Sequence, residues 1–189
     1  MSKKIYLIRH CQSQVNKDKS VLEETYYTGN YTNLLNVNFW KSLGRVVSLP
    51  MDSELTEEGE RQAVRLGNYL TDNNFLENVG AECILHSPLS RAARTCYILF
   101  GESKVPKEEE PYLSEKYLSE YVYSDMTYRA EMLKYKLLFR KEKVIILVGH
   151  SKIFQALVEQ EFKIKNGSVW SVDLDENGSW SNLNEVLNS

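Results

Sequence analysis

Cysteine is scarce in this chain, and its pattern excludes two ways of stabilising a small fold. The three cysteines, Cys11, Cys83 and Cys96, are odd in number and widely spaced. Such spacing provides neither a disulfide framework nor the paired ligands of a structural zinc site. We therefore expect all three to be small buried apolar residues.

Long apolar runs and a large charge of one sign are also missing. No stretch approaches the roughly 20 apolar residues of a membrane-spanning helix, and the first residues do not resemble a secretory signal. The net charge of −3 gives no general attraction to nucleic acid or to a membrane surface. We expect a cytoplasmic protein with neither kind of partner, in which locally placed basic residues attract any anionic substrate.

Alternating apolar patterns predict the fold class. We predict strands at residues 4–9, 81–86, 143–148, 169–174 and 180–183, and helices at residues 56–69, 87–100, 125–140 and 151–162. The helix after the second strand is expected to start with Ser87 as its N-cap and Pro88 in its first turn. This alternation predicts a three-layer α/β/α sandwich with a mainly parallel sheet. The length of 189 residues suits a single domain over residues 1–189.

One long segment interrupts the compact pattern. A long insertion at about residues 17–54 separates the first strand from its helix and is rich in tyrosine. Connections of this length are uncommon and are usually functional or mobile. The segment is either a lid over a substrate or a cover for part of the core.

Basic side chains follow three of the predicted strands. Arg9 and His10 end the first, Arg91 lies one turn beyond the second, and His150 follows the strongest apolar strand. Ligands bind at the carboxyl ends of strands in open α/β sheets. Arginine forks bind phosphate oxygens in pairs, and a neutral imidazole can attack phosphorus. These residue types therefore predict a site for phosphoryl chemistry. His86, beside the second strand end, either faces this site or packs, and we favour packing.

Four sequence motifs resemble one known family. These are Arg9-His10-Cys11-Gln12-Ser13-Gln14-Val15-Asn16, Leu55-Thr56-Glu57-Glu58-Gly59-Glu60-Arg61-Gln62-Ala63, Ser87-Pro88-Leu89-Ser90-Arg91-Ala92-Ala93-Arg94-Thr95 and Val148-Gly149-His150-Ser151. In this order they are similar to the motifs of the histidine phosphatase superfamily, the phosphoglycerate mutase-like proteins. Cys11 departs from the pattern, because the family usually has glycine there.

The resemblance implies roles for individual residues. It implies a phosphoglycerate mutase-like fold, His10 as the nucleophile, and Arg9, Arg91 and His150 as a phosphate pocket, with Ser13 and Asn16 as further contacts to the phosphate. The general acid of the family lies in a Leu-x-Glu segment, which matches Leu113-Ser114-Glu115 and implies Glu115. Leu118-Ser119-Glu120 repeats the pattern, so Glu120 remains a rival. No cofactor and no metal are implied.

The expected function is hydrolysis of a phosphomonoester through a phosphohistidine on His10, the substrate being a phosphorylated small molecule or a phosphoprotein. Two alternatives remain. A phosphoglycerate mutase-type transferase would resemble this pocket, but only 35 positions separate Glu115 from His150, which is short for that class. The second alternative is a non-catalytic binding protein on the same fold. Loss of phosphate release in His10→Ala separates an enzyme from a binding protein.

Overall fold

The computed structural model describes residues 2–17, 52–115 and 126–188. Most of the predicted insertion and the rival acid Glu120 lie outside these ranges. Within them, no helix is long and apolar enough to cross a membrane.

A six-stranded sheet forms the middle of the described structure. Its strands are β1 (Lys3–Arg9), β2 (Cys83–His86), β3 (Lys107–Glu109), β4 (Val144–Gly149), β5 (Val169–Leu174) and β6 (Trp180–Leu187). Their order across the sheet is β3-β2-β4-β1-β5-β6. The first four strands in this order pair in parallel, while β5 and β6 pair antiparallel. The predicted mainly parallel sheet is therefore confirmed.

Helices cover both faces of this sheet. They are α1 (Glu57–Asp72), α2 (Phe75–Val79), α3 (Ser90–Phe100), α4 (Met126–Phe139) and α5 (Ser151–Leu157), with a 3-10 turn at Pro111–Leu113. Apolar residues of α1 and α3 pack with Ile8 and Ile146 on one face. Those of α4 and α5 pack with Ile5 and Leu147 on the other. Side chains alternate between the two faces along each strand, so the buried strands are apolar throughout.

Two predicted helix boundaries are wrong. The helix after β2 begins at Ser90 with Leu89 as its N-cap residue, because Ser87 Oγ accepts from Leu89 N and turns the chain before the helix starts. The first backbone N–H of this helix, that of Ser90, is capped instead by Asp52 Oδ1, while Asp52 Oδ2 accepts from the Ser90 hydroxyl. The helix predicted over residues 151–162 ends at Leu157, since Glu159 has a left-handed φ of 55°.

The three expected buried cysteines are confirmed. Cys11, Cys83 and Cys96 are free thiols within the core. Burial raises the pKa of Cys11 and Cys96 to about 12 and that of Cys83 to about 11. A thiolate is therefore rare at neutral pH, which makes these cysteines packing residues rather than nucleophiles.

Candidate active site

Parallel strands bring three of the expected segments to one edge of the sheet. Arg9, the last residue of β1, lies opposite Gly149, the last residue of β4. His10 N donates to Gly149 O at 2.9 Å, and Ser87 N donates to Val148 O at 3.0 Å. His10, Ser87 and His150 thus follow adjacent strands at the same carboxyl edge, as the sequence predicts.

The two histidines form a buried pair at this edge. His10 is 1% exposed and His150 is fully buried, and their ring centroids lie 4.9 Å apart at an interplanar angle of 60°. The pKa of each imidazole is held well below its usual value, first by burial and then by neighbouring positive charge, including that of Arg91. Both rings are therefore neutral at neutral pH.

Backbone geometry fixes the tautomer of His10. Its Nδ1 lies 2.6 Å from the carbonyl oxygen of Cys11. A carbonyl oxygen can only accept, so Nδ1 carries the proton and donates it. The other ring nitrogen, Nε2, consequently keeps its lone pair, which is the requirement for a nucleophilic imidazole.

Arginine and glutamate complete the cluster. Arg91 is 6% exposed, with a terminal nitrogen 4.0 Å from Glu115 Oε2. The same carboxylate oxygen lies 3.6 Å from His150 Nδ1. Arg9 Nη1 donates to the carbonyl oxygen of Ile164 at 2.7 Å, and the guanidinium is close enough to depress the pKa of both histidines. The predicted residues Arg9, His10, Arg91, Glu115 and His150 are therefore brought together.

Buried polar atoms in this cluster lack partners within the described ranges. They are Arg9 Nε, Glu115 Oε1 and His150 Nδ1. A buried polar atom without a hydrogen bond costs roughly 1–3 kcal/mol. Buried donors and acceptors that stay unpaired in one cluster of side chains fit a site whose partner is a ligand.

The charge of the cluster favours an anion as that ligand. Donor atoms of His10, Glu115 and His150 lie within 4.8 Å of one another and could in principle hold a metal ion. However, the positive charges of Arg9 and Arg91 repel any positive charge on the two histidines and lower the pKa of both. A cation placed there would face the same repulsion, whereas a phosphate would be attracted to both guanidiniums.

Ser13 and Asn16 lie next to the cluster but use their oxygens internally. Asn16 Oδ1 accepts from Ser13 Oγ at 3.0 Å and from Asn166 Nδ2 at 3.2 Å. Asn166 Nδ2 also donates to His10 O at 2.9 Å. Asn16 Oδ1 is therefore occupied by Ser13 and Asn166, and Ser13 directs its hydroxyl proton to Asn16.

The start of α1 supports the loop that carries His10. Thr56 N donates to Gln12 O at 3.0 Å, and Thr56 Oγ1 donates to Gln12 Oε1 at 2.9 Å. Gln62 Oε1 accepts from Gln12 N at 3.1 Å. The motif at residues 55–63 therefore holds the motif at residues 9–16 in place through hydrogen bonds to Gln12. Cys11 N, at the position that departs from the family pattern, donates to Thr95 Oγ1 at 3.1 Å.

Several residues that contact this site were not predicted from the sequence. Ser87 was expected as a helix cap, but its Oγ lies 3.0 Å from His150 Nε2. Asn166 belongs to an Asn-Gly pair that by itself indicates only a turn. Arg129 was not predicted because charged residues of a surface helix are expected in solvent, yet it is buried and donates to the carbonyl oxygen of Glu115. His86 is half-buried with Nδ1 3.0 Å from Ser87 O, in keeping with a packing role.

Comparison with solved structures shows the same fold in several phosphatases. The putative α-ribazole-5′-phosphate phosphatase of Escherichia coli matches with a TM-score of 0.67 and 19% identity, over 99% of this chain and 97% of that one. A mycobacterial glucosyl-3-phosphoglycerate phosphatase matches with a TM-score of 0.62 and 16% identity, over 100% of both chains. The protein histidine phosphatase SixA matches with a TM-score of 0.57 and 18% identity, over 96% of this chain and 94% of that one. At these identities the likeness establishes the fold.

Sequence comparison establishes the family. No curated protein matches the sequence. The family model of the histidine phosphatase superfamily (branch 1) matches residues 38–141, more than half of the chain. The matched part includes Arg91 and Glu115, and the structure adds His10 and His150 from outside it. This chain belongs to the histidine phosphatase superfamily.

Proposed function

We propose that this protein hydrolyses phosphomonoesters through a phosphohistidine on His10. The observation that carries the proposal is the buried pair of neutral imidazoles, His10 and His150, between two guanidiniums and one carboxylate. The phosphatases with the same fold, which act on small phosphorylated molecules or on a protein phosphohistidine by their names, agree with this reaction class.

The nucleophilic step follows from the tautomer of His10. Its Nε2 lone pair attacks phosphorus, the P–N bond forms and the ester P–O bond breaks. Arg9 and Arg91 bind the nonbridging oxygens and balance their charge. Glu115 donates its proton to the departing oxygen, which leaves as an alcohol. The unpaired Glu115 Oε1 suits a carboxyl group that finds its partner only in the substrate complex.

The second half of the cycle reverses these roles. The Glu115 carboxylate takes a proton from water, the water oxygen attacks phosphorus, and the P–N bond breaks with its electrons returning to His10 Nε2. Ser87 Oγ accepts from Leu89 N, so its own proton is available for His150 Nε2. His150 then carries its ring proton on Nδ1, the atom left unpaired and aimed at the site. From there it can donate to a phosphate oxygen.

Chemical trapping tests this proposal. Wild type quenched during turnover of a ³²P-labelled phosphomonoester is expected to carry acid-labile, alkali-stable label, as a P–N bond requires. His10→Ala should carry none and release no phosphate, while His86→Ala, which replaces the one histidine outside the cluster, should keep both. Turnover should persist in a chelator of divalent metals.

Other outcomes would identify the alternatives. Label retained in His10→Ala would move the nucleophile elsewhere. Transfer of label to a second phosphate ester without release of phosphate would indicate a mutase. Binding of phosphate with no turnover by wild type across a panel of phosphomonoesters would indicate a binding protein. Comparing Glu115→Gln with Glu120→Gln would assign the acid, and we expect the larger loss for Glu115→Gln.

A further inference from the structure

A buried arginine on α4 holds the backbone on both sides of Glu115. Arg129 is 6% exposed. Its Nη1 donates to the carbonyl oxygen of Ser114 at 2.6 Å and its Nη2 donates to that of Glu115 at 3.3 Å. A longer contact of 3.4 Å joins Nη1 to the carbonyl oxygen of Tyr112. One guanidinium therefore contacts both peptide groups that flank the α-carbon of Glu115.

Fixing two successive peptide planes fixes the direction in which the side chain between them leaves the backbone. The φ and ψ angles of Glu115 are set when the carbonyl before it and the carbonyl after it both have fixed directions. These angles determine where the Cα–Cβ bond points. The carboxylate at its end lies 3.6 Å from His150 Nδ1 and 4.0 Å from an Arg91 nitrogen. The Arg129 guanidinium thus helps to set the direction from which the Glu115 side chain reaches these two partners.

The rest of the described backbone constrains Glu115 from one side only. The preceding turn, Pro111–Leu113, is tied to the sheet by Glu110 N, which donates to His86 O at 2.8 Å. Ser114 N donates to Pro111 O at 3.1 Å. Residue 116 begins a segment outside the described ranges. Among the described residues, Arg129 is what holds the carbonyl of Glu115 itself.

Guanidinium chemistry is suited to this task in a way that an ammonium is not. The planar fork presents several N–H groups in fixed directions, so it can hold two carbonyls in a defined mutual geometry. A lysine ammonium keeps the charge but acts as a single point on a flexible stem. The Arg129 charge also reaches the site, since it is among the groups that depress the pKa of His150.

We propose that Arg129 is the positioning residue that holds Glu115 in place for proton transfer to the leaving group. This inference rests on the proposed phosphatase function. It concerns orientation: Arg129 contacts the backbone of the acid, and its effect on the reaction passes through Glu115.

Leaving groups of different basicity give the decisive test. 4-Nitrophenolate departs without much help from an acid, whereas phenolate needs a proton as the P–O bond breaks. For Arg129→Lys we expect kcat/KM to fall about tenfold or more with phenyl phosphate and less than about threefold with 4-nitrophenyl phosphate, because general acid catalysis contributes roughly 10²–10⁴-fold. Glu115→Gln should show the same pattern, and the double variant should lose little more than Glu115→Gln alone.

A matched substitution controls for general effects on the fold. Arg140→Lys makes the same chemical change at the end of α4, where Arg140 pairs with Glu108 and Glu142 at the opposite edge of the sheet. Arg140→Lys should change kcat/KM by the same factor for phenyl phosphate and for 4-nitrophenyl phosphate. Arg129→Gln serves as a second variant, and each variant is first checked for a cooperative thermal transition.

Four outcomes would contradict the positioning role of Arg129 or the function on which it rests. Equal losses for both substrates in Arg129→Lys, or unchanged turnover of phenyl phosphate, would overturn the positioning role while leaving the phosphatase function in place. Failure of both Arg129 variants to fold cooperatively would also overturn it, because the guanidinium would then belong to the stability of the fold. A wild type that hydrolyses neither these two esters nor any member of the phosphomonoester panel would instead overturn the proposed function, and the inference with it.

Discussion

Gly59 lies against Gln12 so closely that a side chain cannot fit between them. A Cβ placed on Gly59 would be 1.9 Å from the carbonyl oxygen of Gln12, and that oxygen already accepts from Thr56 N. The start of α1 and the loop that carries His10 therefore meet backbone to backbone. This close approach explains in physical terms why the second motif contains a glycine.

Gly59→Ala tests this contact. Although alanine is favoured in helices by about 1 kcal/mol, the clash with backbone should cost more, and we expect a net loss of roughly 1–3 kcal/mol in the free energy of unfolding. Phosphate release should fall as well, since the shift is transmitted to the loop of His10. Thermal unfolding and turnover of 4-nitrophenyl phosphate measure the two effects.

Gly67→Ala is the matched control within the same helix. A Cβ at Gly67 would meet its nearest atom, Ile98 O, at 3.4 Å, an ordinary contact. We expect its stability to stay within about 1 kcal/mol of wild type. Equal destabilisation by both substitutions would show that the approach to Gln12 is not what requires Gly59.

The buried histidines predict a loss of stability in acid. The folded-state pKa of His10 and of His150 lies well below the usual value, so the unfolded chain takes up protons first as the pH falls. Their contribution is therefore complete above about pH 6.5 and is lost progressively below it. Urea unfolding between pH 5 and 8 in a phosphate-free buffer should show a falling midpoint on the acid side.

Replacing the pair should weaken this dependence. The double variant His10→Asn/His150→Asn removes both groups, so its midpoint should fall less between pH 6.5 and 5 than that of wild type. His86→Asn, at the half-buried histidine, controls for the substitution itself. An acid response that is the same in wild type and in the double variant would contradict neutral burial of these two rings.

Ser87→Ala tests the contact that orients His150. Removing Oγ takes away the partner of His150 Nε2 and the acceptor for Leu89 N. We expect kcat to fall roughly tenfold, in line with the loss of about 1–2 kcal/mol when a buried hydrogen bond is broken. Steady-state kinetics and the inhibition constant of inorganic phosphate measure the loss.

Ser103→Ala makes the same change away from the site. Ser103 Oγ accepts from Val105 N at 3.0 Å, the same two-residue turn that Ser87 makes with Leu89. Its kcat should match wild type. Similar kinetics for Ser87→Ala and wild type would show that His150 is oriented without the hydroxyl.

Raised thiol pKa values predict slow alkylation of the native protein. With pKa values of about 11 to 12, Cys11, Cys83 and Cys96 carry little thiolate at pH 7.5. Native protein should react with less than one equivalent of a thiol reagent in the time that denatured protein reacts with three. Rapid loss of activity on modification of Cys11 would contradict this burial.

Local chemistry was enough to predict much of the candidate site. His10, Arg91 and His150 follow or closely succeed apolar strands, and the ends of parallel strands meet at one edge whatever their distance along the chain. The prediction was weaker at helix ends. Ser87-Pro88 has the pattern of a cap, yet the oxygen that accepts from the first helical N–H belongs to Asp52, which is distant in sequence.

Three features follow from the sequence alone: the alternation of strands and helices, the basic residues at the strand ends and the family to which the chain belongs. These follow from periodicity and from motifs, which are local properties of the chain. Three contacts are visible only in the folded chain: Ser87 with His150, Asn166 with both His10 and Asn16, and Arg129 with the backbone of Glu115. Such contacts join residues from separate elements, and their geometry depends on how the helices pack on the sheet, which no local pattern specifies.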